Sequence, residues 1–126
     1  MKLTKQKLRL KADKLLQDYI RFVNKGMLCY YCGIRPVTVG HHFFPVSNSL
    51  ATRYYLQNIV PLCQRCHCLV HAQPHLVSPI ICFRMGKTWY EDLLEVKRYG
   101  VKFTKEWIQI QYNILKDLYE KAGGRC

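Results

Sequence analysis

Two sets of residues in this 126-residue chain have the types and spacing to do chemistry, and both lie between positions 29 and 71. The first is Cys29-x-x-Cys32 with Cys63-x-x-Cys66, two identical knuckle spacings with 30 residues between them. Each C-x-x-C turn sets two thiolates near two vertices of a tetrahedron, so two such turns close a Zn²⁺ site. A redox dithiol needs only one pair, usually opening a helix in a thioredoxin-like pattern that is missing here. The four cysteines are therefore expected to hold a structural zinc that fixes both ends of the intervening segment. The second set is His41-His42, Asn58, and His67 with His71. His67 and His71 are four apart, so on a helix they share one face and can share one metal ion. Adjacent residues of a strand point to opposite sides, so His41 and His42 would divide into one further ligand and one free base.

These residues need elements to position them. Residues 3–23 carry Leu8, Ala12, Leu15, Leu16, Tyr19, Ile20, Phe22 and Val23 at three- and four-residue steps, with Lys5, Lys11, Lys14 and Asp18 off that face. That pattern predicts an amphipathic helix ending before Asn24 and Gly26. Residues 29–33 read as a knuckle turn, and 36–44, with Val37, Val39 and Phe43 alternating, as a strand or short hairpin. Residues 58–73 read as a loop through Pro61 followed by a compact helix, and 74–86 as an irregular connection. A helix is expected over 88–98 with a Thr88/Glu91 capping box, and a final one over 104–122 capped by Thr104 and stopped by Gly123 and Gly124. Of the remaining cysteines, Cys68 and Cys82 read as core residues and Cys126 as a free tail thiol. His75, beside Pro74, reads as packed or surface-exposed.

Charge narrows the chemistry further. The net charge is +12, and it is unevenly spread: +6 over residues 1–26, +4 over 27–86 and +2 over 87–126. The stretch 27–86 has no Asp or Glu at all, yet holds all five histidines and six of the seven cysteines. That excludes mechanisms built on paired carboxylates there, such as glycosidases, aspartic proteases and two-metal carboxylate nucleases. So basic a chain favours a polyanionic partner, nucleic acid first. Arg53, Arg65 and Arg35 lie near the motif and could clamp backbone phosphates. No recognition helix with a clear Arg/Asn/Gln face stands out, so binding should be mainly electrostatic and steeply salt-dependent. No apolar run approaches the roughly 20 residues of a membrane span, and the Lys-rich start lacks the features of a secretory signal, so an intracellular location is expected.

The histidine and asparagine set, enclosed by the cysteines, resembles the HNH, or ββα-metal, nuclease superfamily. The phrase Asn58-Ile-Val-Pro-Leu-Cys63-Gln-Arg-Cys66-His67 is similar to its closing signature. The resemblance implies an α+β fold: a small zinc-stapled ββα-metal core at 27–73, flanked by a basic N-terminal helix at 1–26 and C-terminal helices at 74–126, in one domain. It implies that His42 is the general base, that Asn58 holds the base-bearing loop, and that His41, His67 and His71 bind the catalytic metal. Three neutral imidazoles suit Zn²⁺, Ni²⁺, Co²⁺ or Mn²⁺ better than Mg²⁺, which prefers oxygen ligands. A weaker similarity covers Lys11-Ala12-Asp13, Tyr19-Ile20-Arg21, Ala51-Thr52-Arg53 and the helical tail from Trp89, and resembles the phage NinG/Rap recombination family. It implies DNA, including branched DNA such as Holliday junctions, as substrate. The chain departs from that family with His67 where Asn is usual and with a second His at position 41.

A rival reading is a non-catalytic zinc module that binds nucleic acid, with the histidines merely packed. It requires only the cysteines, whereas the full histidine and asparagine set favours catalysis. A third is an adaptor built on the last helix, where Trp107, Ile110, Ile114, Leu118 and Tyr119 read more simply as core. An exposed remainder of that face could serve a homodimer, which would suit a junction substrate.

Overall fold

A computed structural model describes residues 3–125, so the thiol expected at Cys126 lies outside the described residues. In chain order the elements are α1 (Lys5–Val23), β1 (Val39–His42), a 3₁₀ turn (Leu56–Asn58), β2 (Ile59–Leu62), α2 (Gln64–Ala72), α3 (Pro74–Met85), α4 (Lys87–Lys97) and α5 (Lys105–Lys121). The class is α+β, five helices around a two-stranded antiparallel sheet among the described residues. No helix among those residues is long and apolar enough to cross a membrane.

The first helix follows its sequence pattern. Leu8, Ala12, Leu15, Leu16 and Ile20 are buried, and the Thr4 hydroxyl caps the start by accepting from the Lys7 N–H at 3.2 Å. At the other end the Asn24 amide donates to the Ile20 carbonyl at 2.8 Å. The buried stripe packs on α5, where Ile108 and Leu115 complete a cluster with Tyr54 and Ile59. Fully burying such aliphatic side chains contributes roughly 1.5–3 kcal/mol each. α5 begins as expected, with Thr104 Oγ1 accepting from the Trp107 N–H at 3.1 Å.

The sheet sits between two clusters because strand side chains alternate. Val39 pairs with Leu62, Gly40 with Pro61, His41 with Val60 and His42 with Ile59. Ile59 enters the α1/α5 cluster, whereas Val60 and Leu62 join Val70, Val77, Ile81 and three of the knuckle cysteines in a second one. At Gly40 a Cβ would stand 2.6 Å from Ile59 Cγ2 and 3.2 Å from two Ile20 carbons, so only glycine lets α1 approach the strand this closely. The Gln17 side chain seals that approach, accepting from the Gly40 N–H at 2.8 Å and donating to its carbonyl at 2.9 Å.

Three expectations are corrected. Residues 59–62 form β2, not a loop through Pro61. Opposite Pro61, Gly40 turns its N–H and carbonyl outward to Gln17, and the Pro61 carbonyl itself accepts from Tyr30 N–H at 3.0 Å, so proline's missing donor is not needed there. Residues 74–85 form α3, not an irregular connection. Pro74 stands in the first turn, where no N–H is required, and burial of Val77 and Ile81 four apart offsets the bond that Pro79 removes. Finally, Thr88 is inside α4, whose N-cap is Gly86 at φ 99° with no side-chain cap bond.

Candidate active site

The two sets converge on α2 from opposite directions. Cys63 is the N-cap of that helix, its Sγ accepting from the Cys66 N–H at 3.4 Å. The sulfurs of Cys29, Cys32, Cys63 and Cys66 lie within 4.8 Å of one another. Cys32 and Cys63 are 3.9 Å apart, close to the about 3.8 Å edge of a tetrahedron with Zn–S bonds of 2.3 Å. The backbone N–H groups of Arg35 and Ile34 push the Cys32 thiol down to about 6, which favours a thiolate. Cys66 moves the opposite way: burial, then its sulfur neighbours, raise it. Four thiolates cannot all ionise beside one another without a cation between them, and the donor set fits zinc.

One turn further along α2, the imidazoles of His67 and His71 stand with Nε2 atoms 2.9 Å apart. His41 reaches them from β1, its ring centroid 5.4 Å from His67 and 5.5 Å from His71. A nitrogen from each of the three lies within 4.8 Å of the others. Burial, and then the charges of His67 and His71, push His41 down to about 4, while burial and then His71 lower His67. Both are held neutral near pH 7, the state in which imidazole ligates metal. The three line a cleft of about 330 Å³ that also takes in His42, Phe43 and Ser78.

His42 belongs to neither cluster. Strand alternation sends it away from α2, and its Nε2 meets the backbone carbonyl of Arg53 at 2.8 Å. A carbonyl only accepts, so Nε2 carries the proton and Nδ1 keeps its lone pair. Burial lowers the pKa of His42, partly offset by that hydrogen bond. Asn58, fully buried, clips the loop that supplies the carbonyl. Its Oδ1 accepts from Phe44 N–H at 2.8 Å, and its Nδ2 donates to the carbonyls of Phe44 and Thr52 at 3.1 and 3.2 Å. The two ends of that loop are Phe44, two residues after His42, and Thr52, the residue before Arg53.

The arginines are placed differently from the expectation. Arg53 is buried and forked onto Asp13 of α1, with Nε–Oδ1 at 3.2 Å and an Nη–Oδ2 contact of 2.7 Å. With only 10% of its side chain exposed, it cannot also clamp a phosphate; its carbonyl, not its guanidinium, reaches the site. Arg35 and Arg65 are exposed, but they line a separate cleft beside Cys32, Cys66 and Leu69. Arg65 and His67 are two residues apart on α2, and so on different faces. Cys68 is exposed rather than part of the core, and Cys82 is half-buried, because residue 68 falls on the outer face of α2. His75 is exposed. Asp13, quoted above only within Lys11-Ala12-Asp13, and Gln17 of α1 carry contacts to the site for which the sequence assigned them no role. A further signal was two hydrogen-bonding residues four apart on the flank of the apolar stripe.

The HNH endonuclease family model matches residues 29–73, a stretch that contains both cysteine pairs, His41, His42, Asn58, His67 and His71. No curated protein and no solved structure matches the chain. The resemblance to the phage NinG/Rap family gains no support from these comparisons. Two short antiparallel strands, the helix that follows them and a four-cysteine cluster able to hold zinc agree with that match: residues 29–73 of this chain are similar to the HNH endonuclease family.

Proposed function

We propose that this protein is a metal-dependent nuclease that hydrolyses phosphodiester bonds in DNA inside the cell, with His42 as general base. The observation that carries the reading is the bond from His42 to the Arg53 carbonyl, which leaves Nδ1 unprotonated on a ring that lines the cleft with His41, His67 and His71. His42 Nδ1 takes the proton of the attacking water, and the resulting hydroxide attacks phosphorus as the bond to the leaving 3′ oxygen breaks. Burial holds the His42 pKa below the ordinary imidazole value, so the ring is neutral and able to take a proton near pH 7. His41, His67 and His71 would hold the divalent ion, which supplies Lewis-acid stabilisation to the scissile phosphate and the leaving oxygen. Asn58 keeps the loop closed and the carbonyl in reach. Arg35 and Arg65, on the other side of α2, would contact backbone further along the strand, giving salt-dependent affinity without base readout.

Branched DNA is the substrate to try first, on the resemblance of residues 11–13, 19–21 and 51–53 to the NinG/Rap pattern. The test is cleavage of a labelled four-way junction beside linear duplex of the same sequence, with Mg²⁺, Mn²⁺, Co²⁺, Ni²⁺ or Zn²⁺ added in turn. His42→Ala is expected to cut at least about a hundredfold more slowly while keeping fold, zinc and DNA affinity. Binding without cutting under every metal would favour the zinc-module reading instead, and equal rates on junction and duplex would remove the branched preference.

A further inference from the structure

The orientation of His42 depends on one carbonyl, that of Arg53, and besides Asn58 the grip on the residue that carries it comes from outside the HNH segment. The Arg53 fork closes on the Asp13 carboxylate of α1, and the neighbouring Tyr54 hydroxyl donates to the same carboxylate at 2.7 Å. Two consecutive loop residues are thus hooked to one side chain 40 positions earlier in the chain. The guanidinium is further enclosed by the rings of Phe103, 5.1 Å away, and Tyr54, 5.6 Å away. Bidentate arginine–carboxylate pairs have a fixed, planar geometry, so this one limits rotation of the loop backbone as well as its distance. Residues 1–26 carry eight basic residues and only two acids. The other acid, Asp18, is engaged at the surface by Lys14 and Arg21. One turn beyond Asp13, Gln17 holds both backbone groups of Gly40, two residues before His42. α1 therefore grips the strand that carries His42 and the loop that receives it.

We infer that Asp13 is a positioning residue for this site: through Arg53 it fixes the carbonyl that sets the ring orientation and tautomer of His42. The inference rests on the nuclease reading above. Without Asp13 the buried Arg53 loses its counter-ion and must move toward solvent. Its carbonyl moves with it, and His42 is free to turn or to carry its proton on Nδ1, where it cannot act as the base.

The experiment uses the full-length, zinc-loaded chain and compares wild type with Asp13→Asn, Arg53→Lys, His42→Ala and Asp18→Asn. Asp18→Asn makes the same charge change as Asp13→Asn, on the same helix. DNA cleavage gives kcat and KM, thermal melting gives the folded fraction, and long-range ¹H–¹⁵N NMR of the His42 ring gives its tautomer. Asp13→Asn is expected to lower kcat about tenfold or more, the scale of a small misplacement of a reacting group. KM should stay within about twofold and Asp18→Asn at the wild-type rate, because DNA contacts are untouched. Arg53→Lys, which keeps the charge but loses the fork, should fall between wild type and Asp13→Asn. His42 should pass from a pure Nε2–H form in wild type to a mixture. Wild-type rates in Asp13→Asn and Arg53→Lys, with His42→Ala inactive, would overturn the inference, as would equal losses in Asp13→Asn and Asp18→Asn. If Asp13→Asn does not fold, Arg53→Lys, which leaves the carboxylate in place and loses the fork, decides instead, and an unchanged His42 tautomer there would overturn the inference. An inactive wild type would instead defeat the nuclease reading, and an active His42→Ala the assignment of His42 as its base. In either case the tautomer comparison still decides the role of Asp13.

Discussion

The cysteine and histidine clusters are built from the same pieces, a segment before or within β1 and successive turns of α2, yet they stand in opposite environments. Cys29, Cys63 and Cys66 are buried within the cluster around Val60 and Leu62. Of the histidines only His41 is buried, while His67 is half-buried and His71 exposed. Cys66 and His67 are consecutive in sequence, and a helical step of about 100° is enough to send one into the core and the other to the cleft. The difference teaches how a small chain separates holding from working. An enclosed donor set binds metal as part of folding, whereas an open one leaves positions for water and phosphate.

Breaking the enclosed cluster should have the largest effect. Cys63→Ala removes a metal ligand and the cap of α2 together, and structural zinc contributes on the order of 10 kcal/mol in small zinc domains. The expected outcome is loss of about one zinc per chain and of the cooperative melt, read by elemental analysis and circular dichroism. A zinc-free variant that melted like wild type would erase the contrast. Breaking the open cluster should do the reverse. His71→Ala is expected to slow cleavage by about a hundredfold or more, the scale of losing a charge-stabilising group, with the melt and the cysteine-bound zinc intact. An unfolded His71→Ala would show that both clusters are structural.

Gly40→Ala probes the approach of α1 to β1 that serves both clusters. Its Cβ would collide with Ile59, so about 1–3 kcal/mol of stability should be lost, read as an earlier denaturant midpoint with unchanged slope. A neutral substitution would mean that the helix is not pressed against the strand. The smallest effect is expected at Asp18, whose carboxylate, among the described residues, bonds only its helix neighbours Lys14 and Arg21. Burial raises its carboxyl, but hydrogen bonds and charges from Lys14 and Arg21 outweigh that and hold it below the ordinary value. Exposed pairs of this kind contribute roughly 0–1 kcal/mol, so Asp18→Asn should barely shift the melt. What the pair adds is present above the unfolded carboxylate pKa of about 3.9 and is lost as pH falls through the lower folded value. A large shift near neutral pH would contradict this assignment.

The helices α1 and α5 were legible because one face of each is covered and the other wet, which writes a 3.6-residue period into the sequence. β2 was not, for the opposite reason. Ile59 is covered by the α1/α5 cluster and Val60 and Leu62 by the α2/α3 side, so the strand reads as a continuous apolar run without alternation. α3 was hidden by Pro74 and Pro79 and by apolar residues on every side: Leu76, Ile80 and Phe83 are exposed while Val77 and Ile81 are buried. In the site, the cysteine and histidine spacings were readable because ligation demands particular atoms at short range. The role of Arg53 was not, since a basic residue near a phosphate site looks the same whether its charge is free or taken by a distant carboxylate.

By itself the sequence determined the donor atoms, their grouping into four thiols and three imidazoles, and a chain too poor in central carboxylates for acid-pair chemistry. Ligand spacing along a turn of helix or a knuckle is local, and local geometry travels with the sequence. Only the tertiary structure decided which histidine faces the other two, which meets a carbonyl, and that Asp13 stands behind that carbonyl. Those outcomes depend on strand pairing and on α1 packing across Gly40, contacts between residues tens of positions apart that no local pattern encodes.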